Sequence, residues 1–307
     1  MTAPGNLKDI FVSMGCECRE AVMMSQYTTL RIGGRADLMV LPDSSEMLLS
    51  IIAELMDKEV PFVVLGGGSN VLISDNGIRG VVIRLDALNR IDIIEKDQKE
   101  VLLFVQAGKR LQGLLSYLSK EGFSGLEGLT GIPGTVGGAL VGNAGAYGYE
   151  MMDAVESVKV IRSGNVEIIS KDRIPCGYRN GGLGDVEVVL GALMRLNRDS
   201  SERVRSRMEQ FIKEKKHSQP IGDASAGCVF KNPAGQSAGK LIDEAGCKGI
   251  RRGDIEVSSM HANFFINRGS GTAVDFLALM EEVREMVFKR FSVDLEPEIR
   301  IIGSNLE

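Results

Sequence analysis

Histidine is nearly missing from this 307-residue chain, which holds only His217 and His261. Zinc and most transition-metal sites rest on imidazoles or on clustered thiolates. The five cysteines do not make up the shortfall: Cys16 and Cys18 form a lone C-x-C with little nearby to recruit, so no metal site is expected. An odd cysteine count also argues for free thiols in a reducing compartment rather than for disulfides. There is no basic excess either. Lys and Arg total 36 against 41 Asp and Glu, for a net charge of -5, which argues against a nucleic-acid partner or an anionic membrane surface. The one basic run, "KEKKH" at 213–217, reads as a solvated helix end. No apolar run is long enough to cross a bilayer. The stretch "MTAPGNLKDIFVSMGCECRE" lacks the basic start and apolar centre of a signal peptide, so a cytoplasmic protein is expected.

Three catalytic signatures are missing as well. No G-x-x-x-x-G-K-[ST] occurs, which argues against a P-loop NTPase. No G-x-G-x-x-G stands in a convincing βαβ setting with an acidic residue about 20 positions on, so a Rossmann fold is a poor fit. With no Ser-His-Asp constellation, chemistry must come from Arg, Cys, Glu and a bound cofactor.

What is present is an ordinary globular composition, 44% hydrophobic and 25% charged, in a chain long enough for two domains. "PDSSEMLLSIIAELMDKEVP" predicts a helix capped by Asp43 or Ser44, with Met47, Leu48, Ile51, Leu55 and Met56 on one face. "FVVLGGGSN" and "RGVVIRL" read as strands, as do 101–107 and "VEVVLGALMRL". "KRLQGLLSYLSKEG" predicts an amphipathic helix ending at Gly122. "VESVKVIRSGNVEIIS" predicts a hairpin with a Ser-Gly-Asn turn. A charged helix, "ERVRSRMEQFIKEKK", leads into a second unit from about residue 200. That unit carries a short helix "SAGKLIDEAG", a strand "ANFFINRG", a long helix "TAVDFLALMEEVREMVFKRF" and a last strand "EIRIIG". Strands and helices mix without a regular βαβ rhythm, which makes the class α+β.

Two glycine-rich stretches follow apolar segments: "LGGGSN" at 65–70 and "GIPGTVGGA" at 131–139. The second lies within 125–148, where nine of twenty-four residues are glycine. Glycine is costly inside helices and strands, so neither is expected there. Free backbone N–H groups can cradle a diphosphate, with Ser69, Asn70 and Thr135 adding donors. Tight turns without a ligand are the alternative, but long glycine loops in compact domains are usually functional or disordered.

Three polar motifs stand out. Arg179 in "CGYRN" is either a functional cation or a surface ion-pair partner. Glu298 and Arg300 in "LEPEIRIIG" share one face at the start of a strand. Cys228 in "SAGCVFKNP" is either a small buried hydrophobe or a working thiol in a loop.

Taken together, "YTTLRIGG" (27–34), "LGGGSN", "GIPGTVGGALVGNAGAYG" (131–148), "YR" (178–179), "SAGCVFKNP" (225–233), "HANFFIN" (261–267) and "LEPEIRIIG" resemble the UDP-N-acetylenolpyruvoylglucosamine reductase family from about Tyr27 onward. The resemblance implies a vanillyl-alcohol-oxidase-type FAD domain over 1–199, in two α/β subdomains split near 88, and a smaller α+β substrate domain over 200–307. It implies the short form of the family, without an extra tyrosine loop, and a monomer. It implies bound FAD, NADPH as hydride donor and a UDP-sugar substrate on the way to peptidoglycan. By the same resemblance FAD would be held by Tyr27, Thr28 and Arg31, by Gly66, Gly67, Gly68, Ser69 and Asn70, and by Ile132, Pro133, Gly134 and Thr135. Gly137, Gly138, Asn143, Gly145 and Ala146 would complete that cradle. Tyr178, Lys231 and Asn232 would contact the substrate.

The catalytic residues implied are Arg179, Cys228 and Glu298. Arg179 would stabilise an enolate-like charge, Glu298 would assist it, and Cys228 would protonate the α-carbon. The family's usual residue at Cys228 is serine. A thiol, with an ordinary pKa of about 8.5, is the stronger acid and is still mostly protonated at neutral pH. Arg35 stands where the family commonly has proline, and "YRNGGLGD" lacks the serine expected after Arg179. Lys215 and Lys216 are open to two roles, reaching the UDP diphosphate or ending a solvated helix. An oxidase on the same fold, or a nucleotide-sugar-binding module without catalysis, are the competing readings.

Overall fold

The structure is a computed structural model that describes residues 4–303. The first three residues of the stretch read above for a signal peptide, and the last four of the second expected domain, lie outside the described residues. In chain order the elements begin with α1 (Pro4–Ser13), β1 (Glu17–Met23), β2 (Arg35–Leu41), α2 (Ser45–Asp57), β3 (Phe62–Val64), β4 (Val71–Ile73) and β5 (Ile78–Ile83). Then come β6 (Ile91–Lys96), β7 (Glu100–Gln106), α3 (Leu111–Glu121), β8 (Phe123–Ser124), α4 (Val136–Val141), β9 (Gly145–Ala146) and β10 (Tyr149–Glu150). The hairpin strands β11 (Val155–Arg162) and β12 (Asn165–Ser170) precede β13 (Val188–Arg198) and α5 (Ser201–Ser218). The last part holds α6 (Ala238–Glu244), β14 (Arg251–Arg252), β15 (Ile255–Val257), β16 (Phe265–Asn267), α7 (Ala273–Phe291) and β17 (Arg300–Ile302).

Local chemistry accounts for the element ends. At α2 the Ser44 hydroxyl accepts the Met47 N–H at 3.3 Å, an N-cap, while Leu48, Ile51, Ile52 and Leu55 form the buried face. Met56, expected on that face, is 42% exposed in the last turn, and Ile52 is buried instead. α3 ends where Gly122 enters the left-handed region at φ 71°, its N–H returning to the Leu118 carbonyl. The β11–β12 pairing places Arg162 opposite Asn165, so the turn is only Ser163-Gly164, both at positive φ. Asn165 is therefore a strand residue, and the turn is one residue shorter than the sequence suggested.

The expectation that no helix forms across 125–148 fails at α4. Thr135 caps it by accepting the Gly138 N–H at 3.3 Å. Its glycines serve packing: a Cβ on Gly137 would come within 2.9 Å of the Ala107 Cβ. Tertiary contact outweighs glycine's entropy cost here.

The chain packs into two compact units, neither of them one continuous stretch. The first comprises the chain up to Arg19, Leu38–Gly67 and Gly80–Glu214; the second comprises Glu20–Asp37, Gly68–Arg79 and the chain from Lys215. The expected boundary at residue 200 falls just before α5, which belongs to the first unit as far as Glu214.

In the first unit, β12, β11, β13, β7 and β6 lie side by side in an antiparallel sheet, with β8 pairing the end of β13. α4 packs on β13 and β7. The core runs from Leu48 and Ile51 of α2 through Leu103 and Val105 of β7 to Val158, Val160 and Met194. The end of β5 pairs in parallel with β3, Phe62 opposite Val81.

The second unit has its own core. Leu30, Ile32 and Leu72 from the two early segments are buried with Phe230, Phe265, Phe276 and Leu279 from the C-terminal part. β14, β15 and β16 form an antiparallel sheet, and β17 pairs in parallel with β4. α7 begins with a capping box of Thr272 and Asp275, and the Asp75 carboxylate accepts the N–H groups of Ala273 and Val274.

Candidate active site

In the first unit the two glycine stretches meet backbone to backbone. A Cβ on Gly67 would lie 2.5 Å from the Gly134 Cα, and one on Gly66 would lie 2.5 Å from the Thr135 Oγ1. No residue with a side chain fits either place. The second stretch is tied to the turn after β7: Val136 N–H donates to the Lys109 carbonyl, Gly137 N–H to Ala107 and Leu111 N–H to Gly134. Ile132 is half-buried, its carbonyl accepting the Gln112 amide at 2.7 Å, whereas Pro133 and Gly138 are exposed.

The end of this stretch is joined to the Arg179 turn. Gly177 and Asn180 exchange backbone hydrogen bonds at 2.8 and 3.0 Å, leaving Tyr178 and Arg179 at the corner. Arg179 has φ 54°, a left-handed conformation that few residues other than glycine adopt. Its Nη1 donates to the Gly145 carbonyl at 2.8 Å, and its guanidinium lies 5.4 Å from the Tyr178 ring centre. Asn143, fully buried, fastens turn to stretch: its Nδ2 donates to the Gly177 carbonyl at 3.0 Å and to Glu150 Oε2 at 2.6 Å, while its Oδ1 accepts the Met152 N–H. The "NGG" after Arg179 is equally fixed. Gly181 donates to the Val141 carbonyl, Gly182 donates to Asn180 Oδ1, and a Cβ on Gly181 would strike the Leu140 carbonyl at 1.9 Å.

An ion pair with a buried carboxylate secures the start of the stretch. Glu127, 2% exposed, accepts the Gly125 N–H at 2.8 Å and binds Arg207 of α5 at 2.6 Å, and Arg207 also reaches Asp199 at 2.8 Å. Burial alone would raise the Glu127 pKa, but the Gly125 N–H and the Arg207 guanidinium outweigh it and hold the carboxyl below its ordinary range. Phe211 of α5 stacks on Tyr147 at 4.7 Å.

In the second unit three loops converge on Thr29. Its N–H donates to the Gly68 carbonyl at 2.9 Å and its hydroxyl donates to the Ser225 carbonyl at 2.6 Å, which links "YTTLRIGG", "GGGSN" and "SAGCVFKNP". Gly68, at φ 63°, sits so close to Tyr27 that a Cβ would fall 1.9 Å from its carbonyl oxygen. Thr28 is buried and donates to the Ile32 carbonyl, and Arg31 is exposed at φ 57°.

The same unit brings Cys228 and Glu298 onto neighbouring segments. Cys228 bridges to Phe264 on one side, and the next carbonyl, that of Val229, accepts the Glu298 N–H at 2.7 Å on the other. Asn263, buried at the centre, accepts Phe230 N–H and donates to the Phe230 carbonyl through its side chain, holding 229–230 straight. Asn70 donates from Nδ2 to the Glu298 carbonyl at 3.1 Å, so the "GGGSN" loop also positions Glu298. Cys228 and Glu298 are both half-buried, between fully buried Val229 and Ile299 and the open loop. Glu298 lies just before β17 rather than within it. Lys231 Nζ pairs with Glu296 at 2.5 Å, and Asn232 Oδ1 accepts the Ala238 N–H at the start of α6.

"KEKKH" departs from its reading as a solvated helix end at one residue: Lys215 is only 3% exposed. Thr29, Asn263 and the Glu127–Arg207 pair are structural supports that the sequence reading missed. The first two lie inside motifs quoted above, whereas nothing in the spacing of Glu127 and Arg207 marks them as partners.

Residues 219–302 match the family description "UDP-N-acetylenolpyruvoylglucosamine reductase, C-terminal domain", and residues 36–170 match "FAD binding domain". A UDP-N-acetylenolpyruvoylglucosamine reductase of Geobacter metallireducens is 39% identical over 299 residues, spanning 96% of this chain and 98% of that protein. The chain belongs to the UDP-N-acetylenolpyruvoylglucosamine reductase family. It is an oxidoreductase with an FAD-binding part followed by the reductase C-terminal domain. A reductase of Caldanaerobacter subterraneus is 40% identical over 91% of this chain and 92% of its own length. The crystal structure of the reductase from Thermus caldophilus superposes with a TM-score of 0.78 at 36% identity, covering 94% of this chain and 99% of that one.

The residues present fit FAD. Main chain approaches main chain at Gly67 and Gly134, and Gly66 lies against the Thr135 hydroxyl, a close backbone packing that lets N–H groups face a diphosphate. No described helix is long and apolar enough to cross a membrane.

Proposed function

We propose that this reductase converts UDP-N-acetylglucosamine enolpyruvate to UDP-N-acetylmuramate for peptidoglycan, with NADPH as hydride donor, in the cytoplasm and as a monomer. The observation that carries the assignment of roles is the pairing of Cys228 and Glu298 through the Glu298 N–H to Val229 carbonyl bond. It sets one proton donor and one carboxyl on adjacent, mutually braced segments. FAD, when bound, supplies the relay of hydride from NADPH to the β-carbon of the substrate. Its holders are the glycine residues and Thr135 of 66–70 and 131–138, with Tyr27, Thr28 and Arg31. The first unit, through Glu214, carries most of the FAD-binding role, and the second, which includes the chain from Lys215, carries the substrate-binding role.

The residues of the chain supply the rest. Negative charge gathers on the α-carbon and the adjoining carboxylate, where a preorganised cation is most effective. Arg179 is that cation, held ready by its strained turn and by Gly145. Cys228 gives its thiol proton to the α-carbon: the S–H bond breaks, the C–H bond forms, and the thiolate is reprotonated from solvent. Glu298 shares a hydrogen with the developing enolate. Tyr178, Lys231 and Asn232 orient the substrate, and Lys215, buried near the end of α5, is the cation assigned to its diphosphate.

The test separates the two half-reactions. Cys228→Ala should keep flavin reduction by NADPH while reoxidation by the enolpyruvyl substrate falls about 100-fold or more, the scale of a lost general acid. Equal loss in both halves would remove Cys228 from the proton-delivery role.

A further inference from the structure

Lys171 and Cys176 make a contact that the catalytic reading does not use. Lys171 Nζ lies 2.6 Å from Cys176 Sγ, with both residues half-buried and within reach of solvent. An N–H···O hydrogen bond spans about 2.7–3.2 Å, and sulfur is larger than oxygen, so this separation is short for a hydrogen bond to a thiol. It is also too long for a direct sulfur–nitrogen bond. Two single bonds meeting at one bent oxygen atom hold their outer atoms at this spacing.

We propose that Lys171 and Cys176 are an oxidative modification site at which hydrogen peroxide installs a covalent nitrogen–oxygen–sulfur bridge. The first peroxide converts the thiol to a sulfenic acid: a sulfur–oxygen bond forms, the O–O bond breaks and one water leaves. The second peroxide takes the two electrons needed to join that oxygen to the amine. The N–O bond forms, and the sulfenic hydrogen and one amine hydrogen depart with the peroxide oxygens as two waters. In all, two peroxides are consumed, three waters are released and one oxygen stays between nitrogen and sulfur. A thiol reductant reverses the sequence.

Of the other four thiols, Cys228 is half-buried like Cys176, and Cys16, Cys18 and Cys247 are poor competitors. Burial pushes Cys18 up to about 12 and Cys247 to about 11, and raises Cys16 as well, so these stay protonated and inert. The position gives the bridge a consequence. It would tie the residue after β12 to the residue before the Gly177–Asn180 turn that carries Arg179.

The holoenzyme is treated with stoichiometric hydrogen peroxide, cleaved with trypsin and mapped by mass. Cleavage after Arg173 places Lys171 and Cys176 on separate peptides. The expected product is those two peptides joined, heavier than their sum by one oxygen less two hydrogens, and separated again by dithiothreitol. Lys171→Met should abolish the joined product and leave Cys176 as sulfenic or sulfinic acid. Hydrogen exchange at Gly177 and Asn180 should slow only in the bridged wild-type protein. Recovery of Lys171 unmodified while Cys176 is oxidised in the wild type, or a joined product that persists in Lys171→Met, would overturn the proposal.

Discussion

At Asn143 one side chain serves three partners, and its loss should be felt at Arg179 before it is felt anywhere else. Asn143→Ala leaves the Gly177 carbonyl, the Met152 N–H and a Glu150 oxygen without it. The Met152 N–H, the fully buried one of the three, costs about 1–3 kcal/mol when left unsatisfied. We expect a lower unfolding midpoint and a fall in the rate of substrate-dependent reoxidation, with NADPH-dependent flavin reduction less affected. Stopped-flow absorbance of both half-reactions measures this, and an equal fall in both would show that Asn143 does not act through Arg179. At Cys228 the conservative change works the other way: Cys228→Ser should retain substantial turnover and resist peroxide inactivation better than the parent, since a hydroxyl does not climb the thiol oxidation ladder. Sequence made Arg179, Cys228 and Glu298 legible because each sits in a distinctive string. It did not reveal that the Asn143 amide is taken up by protein partners. An asparagine in a glycine loop reads the same whether its side chain faces a ligand or its own fold.

Among the elements, the glycine stretches and the helix beside them decide the site. Gly67→Ala would force a Cβ to 2.5 Å from the Gly134 Cα, a backbone atom that cannot swing aside. Overpacking of this kind costs about 1–3 kcal/mol. Drawn from cofactor binding, that is roughly a 10–100-fold weaker flavin affinity, readable by fluorescence titration of the apoprotein. Unchanged affinity would mean that the two stretches do not form the cradle. The Glu127–Arg207 clip predicts a pH effect. The folded carboxyl is held below its ordinary range, so its stabilising contribution is complete above the unfolded value of about 4.3 and is lost as pH falls through the lower folded value. Denaturant midpoints measured from pH 7 downward should therefore fall less steeply in Glu127→Gln than in the parent. Parallel curves would show that the pair adds no pH-dependent stability. Helix α4 shows where pattern reading stops. "VGGALV" has poor helix propensity, and the reason it is helical lies in Thr135 and in Ala107 of the turn after β7, neither of which periodicity can see.

For the whole molecule, α+β class and the order of the late elements were readable because long amphipathic helices and apolar strands carry strong periodic signals. The division into units was harder to see. Leu30, Ile32 and Leu72 belong to the core built around Phe230 and Phe276, some 150 residues or more further along the chain, and a linear scan for linkers has no means of finding such an exchange. The central claim concerns what the assembled protein does with electrons and a proton, and one experiment addresses it directly. The purified protein is held without oxygen while its visible spectrum is followed, first with NADPH and then with UDP-N-acetylglucosamine enolpyruvate. A flavin band that bleaches with NADPH and returns on adding the enolpyruvyl substrate is the predicted result. A band that bleaches and returns only when oxygen is admitted would contradict it.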